Sequence, residues 1–263
     1  MDESRVDAYL ARIGVPRPAA PGVEALREIH RAHLMSVPFE NLSIHLGQPI
    51  VLEEDLLVAK IVDQRRGGFC YELNGALAAL LTALGYHVTR LAARVFGGDR
   101  RPGLPFDHMA LRVDLDEPWL VDVGFGAFTH YPVRLADREE QHDPGGVFQV
   151  TPGGEYGDLD VHHNGSVEYR LDARPYELMD YLPTCWWHQT SPNSHFTRSL
   201  TCSRLTETGR VTLSGAKLIH TVGGEREEVT LESDAEILEA YRTHFGIVLD
   251  RVPVVANPPV PTG

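Results

Sequence analysis

Apolar positions recur every three or four residues through the first third of the chain. Val23, Leu26 and Ile29, with His30 and Leu34 after them, share one helical face; Leu56, Leu57, Ile61 and Val62 repeat the pattern later. The clearest helix is GALAALLTALGY, which begins near Gly68 to Tyr71 and is stopped at Gly85, where a C-terminal glycine belongs. From about residue 86 the spacing becomes alternation. HVTRLAARVF, HMALRVDL, WLVDVGF, VFQVTP and SVEYRL read as strands, divided by the turn sequences GGDRRPGLP, DEP, PGG and HHNG. No helix separates them, so an antiparallel sheet or small barrel is expected in place of βαβ units. Residues 173–200 read as a helical connection with the loop TSPNSH. Strands LTCSRLTE, RVTLSGAKLIH and REEVTLE follow, then the helix SDAEILEAYRTHFG, with a Ser or Asx cap at its start and Gly246 at its end. The tail VPVVANPPVPTG is expected to be extended or disordered. The expected organisation is therefore α+β: a helical domain over 1–84, a β-domain over 85–172, a helical interdomain segment over 173–200, and an α/β part with a Pro-rich tail over 201–263.

Composition narrows the partners. At 263 residues the chain can bury a core without disulfide or metal support. Its 24 basic and 37 acidic residues leave a formal charge of -13, which repels phosphate backbones and anionic lipid, so neither nucleic acid nor membrane is expected as a partner. Cys70, Cys185 and Cys202 are an odd number with no CxxC pair, against a disulfide framework or a thiolate metal site. The start, MDESRVDAYLARIG, lacks the basic and apolar regions of a signal peptide, and no apolar run reaches bilayer length. A soluble protein in the reducing cytoplasm is the expectation.

Candidate chemistry centres on RRGGFCYELNGALAALL. Cys70 follows two glycines at the start of the strongest helix, where unpaired N–H groups and the positive dipole end are expected to lower a thiol pKa and to bind an oxyanion. The glycines are expected to let another molecule approach the backbone closely. A thiolate nucleophile needs a base, and the base needs a group that fixes its tautomer. In HMALRVDL the residues Met109, Leu111, Val113 and Leu115 form the apolar set, with His108 on the other face; in WLVDVGF the apolar set is Trp119, Val121, Val123 and Phe125, with Asp122 opposite. If these strands pair through the DEP turn, His108 and Asp122 share a face as opposite or diagonal neighbours. Parity does not show that Cys70 meets them, and a lone cysteine is more often a buried apolar residue. Cys185 and Cys202, which lack both the glycines and a helix start, read as core. His162 and His163 read as a turn, His87 and His220 as strand residues. His188 and His195 read as ligands only if partners exist, and no metal spacing is visible.

The string RGGFCYELN at 66–74 resembles the active-site signature of the arylamine N-acetyltransferases. VPFENLSIHLG at 37–47, HMALRV at 108–113, LVDVGFG at 120–126 and SPNSHF at 191–196 resemble further blocks of that family, in the same order. The resemblance implies a helical bundle, a β-barrel and an α/β lid. It places nucleophile, base and orienter on Cys70, His108 and Asp122. Glu40 and Arg66 match positions that support the site, read here as an ion pair, and Phe39, Phe125, Gly126 and Phe196 match positions around the acyl and acceptor cleft. The implied reaction is ping-pong: acetyl-CoA acylates the cysteine, and the thioester passes to an arylamine, arylhydroxylamine or hydrazine, with no metal. Three other readings share the constellation: an amide synthase closing a macrolactam from an acyl carrier protein, a cysteine hydrolase, and a binding protein without turnover.

Overall fold

The structure, a computed structural model, describes residues 1–98, 100–154 and 156–255. Asp99 of the turn GGDRRPGLP and residues 256–263 of the Pro-rich tail lie outside the described residues. The chain opens with α1 (Glu3–Ile13) and α2 (Val23–Ser36), passes through β1 (Phe39–Glu40) and α3 (Leu42–Leu46), and continues into α4 (Glu54–Val62) and α5 (Cys70–Ala83). Helix α1 shows how local chemistry sets an end: the Asp2 carboxylate accepts the Arg5 N–H at 2.8 Å, and Gly14 stops the helix at φ 75°. Apolar stripes of α1, α2 and α4 (Tyr9, Leu10, Leu26, Ile29, Leu57, Ile61) enclose α5, whose residues 70–81 are all buried. Leu56, in the same apolar run as Leu57, turns outward at 49% exposure, because 3.6-residue periodicity can bring only one of two neighbours inward.

The strands β2 (His87–Val95), β3 (His108–Asp114), β4 (Pro118–Val121), β5 (Val133–Arg134), β6 (Gln141–Asp143), β7 (Gly146–Pro152), β8 (Leu159–His163) and β9 (Ser166–Leu171) form an antiparallel sheet of order β5-β4-β3-β2-β9-β8-β7-β6. It curls into a nearly closed barrel. The edges β5 and β6 meet where Gln141 accepts the Arg134 N–H at 2.8 Å and donates to the Arg134 carbonyl at 2.9 Å. His162 and His163, expected in a turn, instead end β8; the turn is Asn164-Gly165, both in the left-handed region. Strands β3 and β4 are buried on both faces. Met109, Leu111, Val113 and Val121 pack into the helical core, and Ala110 and Leu120 into the barrel interior.

A 3-10 turn (Leu178–Tyr181) leads into α6 (Leu182–Thr190) and the short α7 (His195–Arg198). Then β10 (Cys202–Leu205), β11 (Gly209–Ser214), β12 (Lys217–Val222) and β13 (Glu225–Thr230) form a second antiparallel sheet, on which α8 (Asp234–Ala240) and the turn Tyr241–Phe245 pack. RVTLSGAKLIH, read as one strand, is two, broken at Gly215 with φ 59°. The edge of this sheet comes from far upstream, since β1 pairs with β10 through Phe39↔Ser203 and Glu40↔Cys202. Among the described residues no helix is long and apolar enough to cross a membrane.

Candidate active site

Cys70 is the first residue of α5, and two buried charge pairs fix the segment before it. The Arg66 guanidinium reaches Glu40 at 2.8 Å, and Glu40 also accepts the Leu42 N–H at 2.7 Å. Burial opposes the Glu40 charge, but Arg66 and Lys60 more than offset it and hold the carboxyl below its usual range. Glu72, one turn into α5, accepts the Phe69 N–H at 3.2 Å and pairs with Lys60, which also donates to the Ser43 hydroxyl at 2.9 Å. A Cβ on Gly67 would lie 1.8 Å from the Pro38 carbonyl oxygen, and one on Gly68 2.5 Å from the Glu72 carboxylate. The chain itself makes a close approach at these glycines, at Pro38 and Glu72.

Opposite α5, the register Leu111↔Val121 places Asp122 beside Ala110 and diagonal to His108. The His108 Nε2 lies 2.7 Å from Asp122 Oδ2, with both residues buried. The strand stops at Val121, and the bend beyond it carries Phe125 off the apolar face expected for it; its ring packs 5.1 Å from His108 and 5.0 Å from Tyr169. The bend gives Asp122 three more donors: Asn74 Nδ2 at 2.9 Å, the Gly124 N–H at 3.0 Å and the Tyr169 hydroxyl at 3.1 Å. Burial disfavours the ionised carboxylate, yet His108 and these donors outweigh it and lower the Asp122 pKa. Burial likewise opposes charge on His108, and the Asp122 carboxylate overcomes it, raising the imidazole to about 10.

Cys70, 3% exposed, lies near enough to His108 for the imidazole to act on its ionisation. The His108 ring and the Met109 N–H favour its thiolate. Burial nevertheless pushes the thiol above its usual value, against the lowering expected from the helix start. Asp122 in turn favours the protonated imidazole. Gly124 locks the two halves together, since a Cβ there would lie 2.6 Å from the Cys70 Cα and 2.8 Å from Asn74 Nδ2.

Aromatic side chains flank the thiol. Phe196 packs 6.2 Å from Phe39 and 5.3 Å from Phe69, and all but Phe69 keep an exposed edge. Gly126, with φ 93°, presents its carbonyl to Arg210 of β11 at 2.8 Å. The structure therefore assembles Cys70, His108 and Asp122 at one point, with Glu40 and Arg66 beneath the loop and Phe39, Phe125, Gly126 and Phe196 around it. Sequence reasoning missed Asn74, Gly124, Tyr169 and Arg210. Asn74 carried a signal, because it lies four residues after Cys70 and so on its helical face; Tyr169 and Arg210 carried none. Cys185 and Cys202 are buried free thiols, and among the described residues no cluster of three or more His, Cys, Asp or Glu is placed to hold a metal ion.

The N-acetyltransferase family model matches residues 22–254. An arylamine N-acetyltransferase of Mycolicibacterium smegmatis is 36% identical over 253 residues, covering 92% of this chain and 91% of the relative. The arylamine N-acetyltransferase of Salmonella typhimurium superposes with a TM-score of 0.87 at 32% identity, over 94% of this chain and 92% of that one. The Mycobacterium marinum arylamine N-acetyltransferase solved in complex with CoA gives 0.84 at 31% identity, over 92% of each chain.

Proposed function

Because the chain belongs to the arylamine N-acetyltransferase family, we propose that Cys70 accepts an acetyl group from acetyl-CoA and passes it to an arylamine, arylhydroxylamine or hydrazine. The observation that carries this reading is the His108 ring held by Asp122 at 2.7 Å, with the bend at Gly124 seated directly against the Cys70 backbone. His108 takes the thiol proton and the sulfur attacks the acetyl carbonyl. The bond to the CoA sulfur breaks, and CoA leaves with the proton from His108. In the second half the amine attacks the thioester, His108 removes the amine proton, and the Cys70 sulfur is released. Asp122 holds the ring and stabilises the imidazolium at both stages. The CoA complex of the M. marinum relative supports acetyl-CoA as donor. Phe39, Phe125 and Phe196 supply the apolar wall that an aromatic acceptor needs and that keeps water from the thioester. A reducing cytoplasm fits a mechanism that depends on a free thiol.

Intact mass after mixing with acetyl-CoA tests the reading. One acetyl on the parent protein, lost when an arylamine is supplied and absent from Cys70→Ala, is expected. Acetylation of Cys70→Ala would refute it, and release of CoA into water without an acceptor would favour a hydrolase.

A further inference from the structure

A second buried polar chain, Asp107–His188–Ser194, runs beside the triad. His188 of α6 is 5% exposed; its Nε2 lies 3.1 Å from Asp107 Oδ1 and its Nδ1 3.3 Å from the Ser194 hydroxyl. A carboxylate only accepts, so Nε2 donates to Asp107, and when the ring carries one proton Nδ1 receives the serine hydroxyl. Ser194 in turn caps α7 by accepting the Phe196 N–H at 3.1 Å. The ring of His188 also packs 5.1 Å from Phe196, and 6.4 and 6.1 Å from Phe69 and Tyr71, the two neighbours of Cys70.

The other end of the chain leads to His108. Asp107 directly precedes it, and Phe106 before that sits at φ 61°, a left-handed conformation uncommon outside glycine. Such a residue persists where its surroundings over-determine it. Here the Tyr71 hydroxyl donates to the carbonyls of Phe106 at 2.6 Å and Asp107 at 3.2 Å, and the Thr184 hydroxyl of α6 donates to the Pro105 carbonyl at 2.9 Å. Helix α6 thus grips the loop that delivers the imidazole and, through Ser194, the turn that presents Phe196.

We propose that His188 is a positioning residue with two separable arms: Asp107 sets the His108 ring for loading of Cys70, and Ser194 sets Phe196 as the acceptor wall. The proposal rests on the acyl-transfer reading above, whose two half-reactions allow the arms to be measured apart. A hydrogen bond to a charged group is worth about 1.5–3 kcal/mol and one between neutral groups about 0.5–1.5 kcal/mol, so loss of the Asp107 arm is expected to change its half-reaction about tenfold or more and loss of the Ser194 arm about two- to tenfold. Asp107→Asn should slow acetyl loading by the first of these factors while the acceptor KM stays near the parent value. Ser194→Ala should raise the acceptor KM while loading stays near the parent rate, and Ser194→Thr, which keeps the hydroxyl, should restore it. His188→Phe, which keeps a ring but no nitrogen, should show both defects. Alkylation of Cys70 by iodoacetamide needs no acyl donor, so it reads the Asp107 arm even if the parent protein takes no acetyl, a result that would sink the acyl-transfer reading instead. Losses of equal size in both half-reactions for all the variants, tracking a fall in Tm, would overturn the proposal by reducing His188 to a fold contact. Parent kinetics in both Asp107→Asn and Ser194→Ala would overturn it as well.

Discussion

Gly124→Ala isolates the contact on which the site depends. Gly124 lies outside the left-handed region, so an alanine there suffers no conformational strain and the effect is steric alone. Its Cβ would sit 2.6 Å from the Cys70 Cα, 3.1 Å from the Cys70 Cβ and 2.8 Å from Asn74 Nδ2. Carbon atoms rest at about 3.5–4.0 Å, so α5 and the bend after β4 must separate by roughly 1 Å. Overpacking of this kind costs about 1–3 kcal/mol, which in a domain of this size lowers Tm by about 2–4 °C per kcal/mol. The kinetic loss should be larger in proportion. The displacement falls between Cys70 on one element and His108 with Asp122 on the other, and a misplacement of about 1 Å can cost about 10²-fold in rate. Single-turnover loading, followed as CoA release and as acetyl mass, measures it directly. Gly14→Ala is the control: nothing lies within 4 Å of its Cβ, but φ is 75°, so it should lose stability while loading is affected far less. A Gly124→Ala protein that melts with the parent and loads at the parent rate would refute the claim that this contact sets the geometry.

Asp122→Asn should lose about 10⁴-fold in turnover, the penalty a triad suffers when its carboxylate becomes an amide. It should also melt lower, because His108, Asn74, the Gly124 N–H and Tyr169 all donate to that side chain and an amide brings donors of its own. Turnover within a few-fold of the parent would make Asp122 structural. The pH dependence of stability should carry the mark of His33, which burial, aided by the charges of Arg12 and His30, depresses from 6.5 to about 3. A depressed histidine leaves the unfolded chain binding more protons, so its contribution is whole above about pH 6.5 and lost progressively toward pH 3; roughly 3.5 pH units at about 1.4 kcal/mol each bound the loss near 5 kcal/mol. His33→Gln, which keeps a partner for the Tyr9 hydroxyl, should flatten the fall of Tm across that window, and an unchanged slope would assign the acid sensitivity elsewhere.

What the sequence determined by itself is local and periodic. Alternation in HMALRVDL and WLVDV placed His108 and Asp122 on one face before any partner was known, because side-chain direction in a strand follows residue parity. The GGFC helix start and the Gly85 stop were legible for the same reason, since caps are set by neighbours in the chain. Tertiary structure alone decided which faces meet. Asn74, Gly124 and Tyr169 join Asp122 only because α5 and β9 close on the bend from either side, and β1 finds β10 across the molecule through a two-residue pairing too short to leave a pattern. It also added to one local inference and reversed another. The glycines at 67 and 68 make room for Pro38 and Glu72, and the Cys70 thiol is raised, not lowered, because desolvation depends on everything packed around the sulfur. Sequence can state which way a residue points; what it meets, and in what dielectric, is a property of the assembled core.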